Sequence, residues 1–189
     1  MRKMYKFLLL LAVLLAPWAT RAQDLADYSF STGTDASKWV DMSSATQILS
    51  PSGNDGLASS VQSIGFSFPF GEDSYTQFSV NTDGNLRLGS TVTGTSYYST
   101  PFSSSYSNYN NPKINAFGCD GYGVSGSHYV KSLLVDDSIR VVEFCMGTYT
   151  SSTRNNLYKW QIHLYSNGNI EIVFPDSANM PAANPGTSH

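Results

Sequence analysis

Cysteine, histidine and positive charge are all in short supply in this chain, and each shortage removes a class of function. Two cysteines, Cys119 and Cys145, without a supporting histidine cluster do not make a zinc site. Four of the eleven Lys and Arg residues (Arg2, Lys3, Lys6 and Arg21) lie before Gln23, whereas all fourteen Asp and Glu lie after it, so residues 23–189 carry a net charge of −7. That argues against nucleic acid, which needs a basic face. Long apolar runs are missing too. The one candidate, residues 7–16, falls short of the roughly 17–25 residues that cross a bilayer. No G-x-S-x-G occurs, and no stretch after Gln23 has the pattern of a long amphipathic helix. His128 and His163 precede the terminal His189, with no motif linking either to a serine and an aspartate, so a hydrolytic triad has nothing to rest on.

The first residues have a purpose of their own. A basic start, the apolar run and Thr20-Arg21-Ala22, with small residues three and one before Gln23, form a secretory signal peptide over residues 1–22. No cysteine stands there to take a lipid. The remainder, residues 23–189, has the length of one domain, and the expected address is secreted or outer cell surface. Export permits a disulfide between Cys119 and Cys145; two buried free thiols on neighbouring strands are the alternative.

Period-two alternation dominates what remains. In IGFSFPFGEDSYTQFSVNTDGNLRLG, residues 64–89, Ile64, Phe66, Phe68 and Phe70 share one strand face. Burying four such groups contributes on the order of 6–12 kcal/mol. Pro69 cannot donate to a ladder, so that strand ends near it or lies at an edge. After it comes a hairpin. A two-residue Asp-Gly turn would put Val80 on the same face as Arg87, whereas a three-residue loop, Thr82-Asp83-Gly84, pairs Val80 with Leu86 and Phe78 with Leu88 and requires a positive φ at Gly84. The same parity selects Ser166-Asn167-Gly168, pairing Leu164 with Ile170. Residues 139–146 are apolar at both parities, as expected of a central strand covered on both faces. Strands are also expected at 28–30, around 38–40, at 113–118 and at 129–135, with a long loop over residues 90–112. The pattern stops at Pro175. The fold class is all-β, an antiparallel β-sandwich of jelly-roll or lectin-like type with roughly eight to ten strands.

Residues 64–89 and the later run RVVEFCMG…LYKWQIHLYSNGNIEIVFPD resemble two segments of secreted β-sandwich domains similar to nidogen-type extracellular modules, with Asn54-Asp55-Gly56 at the place of their acidic turn. Such domains are common at the N-terminus of Bacteroidetes surface proteins, many exported by the type IX system. The resemblance runs over residues 28–175. It implies a surface module for adhesion, with a glycan or an extracellular protein as ligand. The chain departs from it at Ile114 to Asp120, where a Pro-aromatic-acidic run is usual, and in lacking another strand after 175, as well as the fibronectin-like repeats and sorting domain of longer relatives. On that reading the domain is truncated after 175 and leaves an open edge that invites self-association.

Four sets of residues are candidates for chemistry. Tyr97, Tyr98, Tyr106 and Tyr109, with Phe102, sit among serines in the long loop. That suits a binding surface, or rings that cover an open sandwich edge. Glu143 and Glu171 stand mid-strand, and a glycosidase would need two such carboxylates about 5–9.5 Å apart in a groove. Ordinary solvent-facing positions are the other reading, and His163 reads as outward in the same way. Asp55, Asp83, Asp120, Asp136 and Asp137 are acidic loop residues of the kind calcium takes, although no D-x-D-x-D run assembles its six to eight oxygens. Gly121 to Gly126 spell G-x-G-x-x-G, but a strand pattern follows where phosphate binding needs a helix. The reading is therefore a flexible inter-strand loop. Non-catalytic adhesion or interaction, without a cofactor, is the function expected. A carbohydrate-active hydrolase and a structural spacer of a larger surface protein are the alternatives.

Overall fold

The structure, a computed structural model, describes residues 28–53, 55–95, 112–117, 119–150 and 154–175. Ten strands are present among them: β1 (Thr46–Leu49), β2 (Gln62–Phe70), β3 (Asp73–Val80), β4 (Asn85–Leu88), β5 (Lys113–Asn115), β6 (Gly121–Tyr122), β7 (Tyr129–Asp136), β8 (Ile139–Thr148), β9 (Tyr158–Tyr165) and β10 (Ile170–Val173). They form two antiparallel sheets, one ordered β1-β7-β8-β9-β10 with β6 paired to the end of β8, the other β2-β3-β4-β5. Their apolar faces meet, and this is the β-sandwich the alternation predicts.

Both hairpins have the register that parity selects. Val80 pairs with Leu86 and Phe78 with Leu88; Leu164 pairs with Ile170 and Ile172 with Ile162. Gly84 has φ 77° and Gly168 φ 90°, the left-handed turn position that glycine occupies without a Cβ penalty. Ile64, Phe68, Phe78, Val80 and Leu86 of the smaller sheet close on Val142, Phe144, Trp160, Ile162 and Leu164 of the larger one, all fully buried. Trp160 stacks on Phe144 at 5.0 Å and meets Phe117 at 5.4 Å. β8 lies in mid-sheet and is buried along most of its length. β2 is an end strand, where Pro69 leaves no ladder bond unmade.

The N-terminal part corrects the sequence expectation. Residues 28–30 and 38–40 are not strands. Asp35 accepts from Ser37 N at 3.0 Å and caps a single 3-10 turn, Ala36–Lys38. From there the chain crosses the outer face of the larger sheet as a strap, touching β10 and β9 before it reaches the first strand, β1, on the edge beside β7. No helix among the described residues is long and apolar enough to cross a membrane.

Candidate functional site

Outward positions on β7 to β10 carry polar side chains, as period two dictates, but the strap and neighbouring rings cover them. Glu143 is 4%, Gln161 0% and His163 2% exposed. Tyr129 Oη donates to Glu143 Oε1 at 2.9 Å, and Gln161 Nε2 donates to Glu143 Oε2 at 2.8 Å. Gln161 also donates to the carbonyl of Val40 at 2.7 Å and accepts from its N–H at 3.0 Å. His163 Nε2 stands 3.0 Å from Gln161 Oε1 and so donates to it, because that amide's nitrogen already faces two acceptors. On β10, Glu171 accepts from Tyr165 Oη at 2.5 Å and pairs with Lys38 Nζ at 2.8 Å, while His163 Nδ1 lies 3.7 Å away. Burial raises the phenols of Tyr129 and Tyr165, and the adjacent carboxylates raise them further. Burial lowers His163 more than Glu171 raises it.

This geometry corrects two expectations. His163 is buried, and Glu143 and Glu171 do not line an open groove. They share a face, but β9 lies between their strands, which separates the backbones by roughly 10 Å from strand spacing alone. All four of their oxygens are engaged by protein groups.

The second concentration of polar groups is at one end of the sandwich. Asp83, in the β3–β4 turn, is 1% exposed. Its Oδ1 accepts from Gly121 N at 3.1 Å and its Oδ2 from Asn81 Nδ2 at 3.1 Å. Asn81 Nδ2 also holds the carbonyl of Gly94 at 2.9 Å, and Asn81 Oδ1 accepts from Asn85 N at 3.0 Å. Thr82 Oγ1 donates to the carbonyl of Asp55. Burial pushes the Asp83 carboxyl up to about 7; the Gly121 N–H opposes the rise, and Asp120 and Asp55 add to it. His128, also 2% exposed, accepts from Val124 N at 2.7 Å through Nδ1, which leaves Nε2–H to donate to the carbonyl of Asn156 at 2.8 Å.

An aromatic–arginine stack stands on the rim of this end. The Arg154 guanidinium lies 4.3 Å from the Tyr122 ring and 5.1 Å from the Tyr149 ring, and the two rings are 6.1 Å apart, edge to face. Arg154 Nη2 donates to the carbonyl of Tyr149 at 3.0 Å, and Tyr122 Oη to that of Gly53 at 2.9 Å. Tyr149 N donates to the backbone carbonyl of Asp120 at 2.8 Å, which ties the segment before β6 to the stack. Tyr149 remains 47% exposed.

The remaining candidates divide as follows. Tyr97, Tyr98, Phe102, Tyr106 and Tyr109 lie outside the described residues. Cys119 and Cys145 are free thiols, so the disulfide that export would permit is not formed. Their surroundings differ. Burial, Asp83 and Asp120 push Cys119 up to about 12 at the loop end, while burial on the outer face of β8, near Lys159 and Glu143, pushes Cys145 up to about 11. The glycine run is not a flexible loop at its start. Gly121–Tyr122 is strand β6, and a Cβ at Gly121 would sit 1.9 Å from Thr82 O, so glycine is needed there for close packing. Asp136 serves its own turn, accepting from Ser138 N at 2.8 Å. Among the described residues no group of three or more His, Cys, Asp or Glu is placed to hold a metal ion.

Three features were not read from the sequence: the strap, the Gln161 clamp and the stack of Tyr122, Tyr149 and Arg154. The β9–β10 hairpin register carried part of the signal for the second, since it places His163 beside Glu171 on one face. No curated protein and no solved structure matches the chain. A family model described as NIDO related matches residues 27–189.

Proposed function

Because the chain belongs to the NIDO-related family, a family of nidogen-like extracellular modules, we propose that it is an exported, non-catalytic module for adhesion or interaction, and that it takes a glycan or an extracellular protein on the loop end of the sandwich. The observation that carries this reading is the stack of Tyr122, Tyr149 and Arg154 beside Asp120. Tyrosine and arginine supply large, preorganised contact area at small entropic cost. Here Tyr122 ends strand β6 while Tyr149 and Arg154 follow β8, beside a buried network around Asp83, and loops on a rigid frame are where sandwich domains carry recognition. A tyrosine face suits a sugar ring, which offers its C–H groups to the aromatic surface.

Tyr97, Tyr98, Tyr106 and Tyr109 are proposed to extend this surface. Gly94, just before that segment, is fastened through Asn81 at the same end. The test is an array of glycans and extracellular proteins probed with the purified chain, with Tyr149→Ala plus Arg154→Ala, and with Ala at the four loop tyrosines. Binding that falls at least tenfold in the first variant supports the loop end. Binding unchanged in both folded variants would move the ligand elsewhere. A second reading, docking of the module edge to edge with another copy, is favoured by one observation: on the end strand β10 and just past it, Ile172 is 41% and Phe174 43% exposed.

A further inference from the structure

The strap is held in the way an extended peptide is held by a receptor. Gln161 takes both the N–H and the C=O of Val40, at 3.0 and 2.7 Å, which reads backbone and no side chain. Two residues earlier Lys38 pairs with Glu171 at 2.8 Å, and one residue later Asp41 turns its own carboxylate to Ser43, accepting from its N–H at 3.0 Å and its Oγ at 2.8 Å. The strap thus runs with its basic residue over an acid.

What orients the clamp lies beneath the strap. The Gln161 amide is fixed by Glu143, which accepts from its nitrogen, and by His163, which donates to its oxygen. Glu143 is fixed in turn by Tyr129, and Glu171 by Tyr165. None of these contacts involves residues 38–41, so the donor, the acceptor and the carboxylate stay aimed outward when the strap lifts. A site of this kind is preorganised.

The occupant, by contrast, is lightly held between Lys38 and Tyr28, whose Oη donates to the carbonyl of Gly168 at 3.3 Å and whose ring lies 6.1 Å from that of Phe70. Residues 29–37 are exposed, Phe30 at 90%. The Lys38–Glu171 pair is itself part-exposed, at 46% and 34%, and exposed ion pairs hold weakly. Only toward β1 does the strap enter a sheet.

We propose that the outer face of β7 to β10 is a binding site for an extended segment of a partner protein, with a basic residue and any residue two positions on, and that residues 38–41 occupy this site in cis until such a segment displaces them. The arrangement is an extended-peptide recognition mode in which main-chain bonds give affinity and the basic residue gives direction. It is distinct from the loop end.

The probe is a labelled peptide with the strap's own sequence, Asp-Ala-Ser-Lys-Trp-Val-Asp-Met, titrated against the whole chain by fluorescence anisotropy. Val40→Pro removes the clamped N–H. Trp39 before it is already extended, φ −71° and ψ 117°, as a following proline requires. Lys38→Glu sets like charges against each other at Glu171 and leaves the backbone intact, so it decides the matter where Val40→Pro fails to fold. An occluded site binds weakly in proportion to its open fraction. The expected result is that either variant binds the peptide roughly tenfold or more tighter than the wild-type chain. Adding Gln161→Ala, or using a peptide with Glu in place of its Lys, abolishes the gain. Folded variants that bind no better than wild type would overturn the proposal, as would binding indifferent to Gln161→Ala. A dimer exchanging straps in place of peptide binding would overturn it in favour of self-association.

Discussion

Asp83 and His163 make opposite demands on pH. The Asp83 carboxyl is raised to about 7, mainly by burial, so between the ordinary carboxylate value and about 7 the folded state holds a proton the unfolded state has lost. Its contribution is therefore full in acid and is lost as pH rises through about 7. A shift of this size corresponds to a few kcal/mol, on the order of 1.4 per pKa unit. Thermal melts of Asp83→Asn and wild type should converge in acid, and the wild type should lose ground to the variant between about pH 4 and pH 7. A parallel pair of curves would mean the carboxyl is ionised throughout. His163 is lowered, mainly by burial, so below its ordinary value the unfolded state takes up a proton that the folded state refuses. Its contribution is present at neutral pH and fades as pH falls below the ordinary histidine value. Nitrogen shifts should show His163 protonated at Nε2 alone at neutral pH, with a midpoint below the usual histidine range. A midpoint at or above that range would contradict the burial.

At the scale of elements, the polar strip depends on Gln161. Gln161→Leu keeps the volume but strips partners from Glu143, His163 and both main-chain groups of Val40. Each buried group left unpaired costs about 1–3 kcal/mol. We expect a clearly lower Tm and fast hydrogen exchange at the Val40 amide; an unchanged Tm would mean the strap adds nothing. β6 depends on packing. Gly121→Ala would drive a Cβ to 1.9 Å from Thr82 O, so the β6–β8 pairing and the Asp83 turn should come apart together, seen as loss of amide protection at Gly121 and Tyr122. The hairpins were legible in the sequence because local parity alone decides them: Val80 with Leu86, Leu164 with Ile170. The mid-sheet place of β8 was legible from its apolar run. The strap was not. Alternation on β9 marks Gln161 and His163 as outward, which they are, but outward means exposed only when nothing crosses the face. The cover arrives from residues 38–42, some 120 positions away in sequence. Asp83 was hidden for a like reason: the turn explains its residue type, while its burial comes from Gly121, which returns from beyond β5.

For the whole molecule, a four-stranded sheet faces a wider one, and β10 is the wider sheet's end strand. Ile172 and Phe174 are exposed along it, which is the condition for edge pairing. Sedimentation should show association that grows with concentration and weakens in Ile172→Lys; a monomer at all concentrations would remove the edge from the account. The family assignment and the two-sheet frame leave the loop end as the proposed ligand surface, and one experiment addresses that directly. An amide chemical-shift map of the chain, titrated with a glycan or protein identified on the array, should move Asp55, Asp120, Tyr122, Tyr149 and Arg154 together, with the amides of β7 to β10 at mid-strand left in place. Shifts centred instead on Glu143 and Glu171, or turnover of the added glycan, would contradict a non-catalytic module that binds through its loop end.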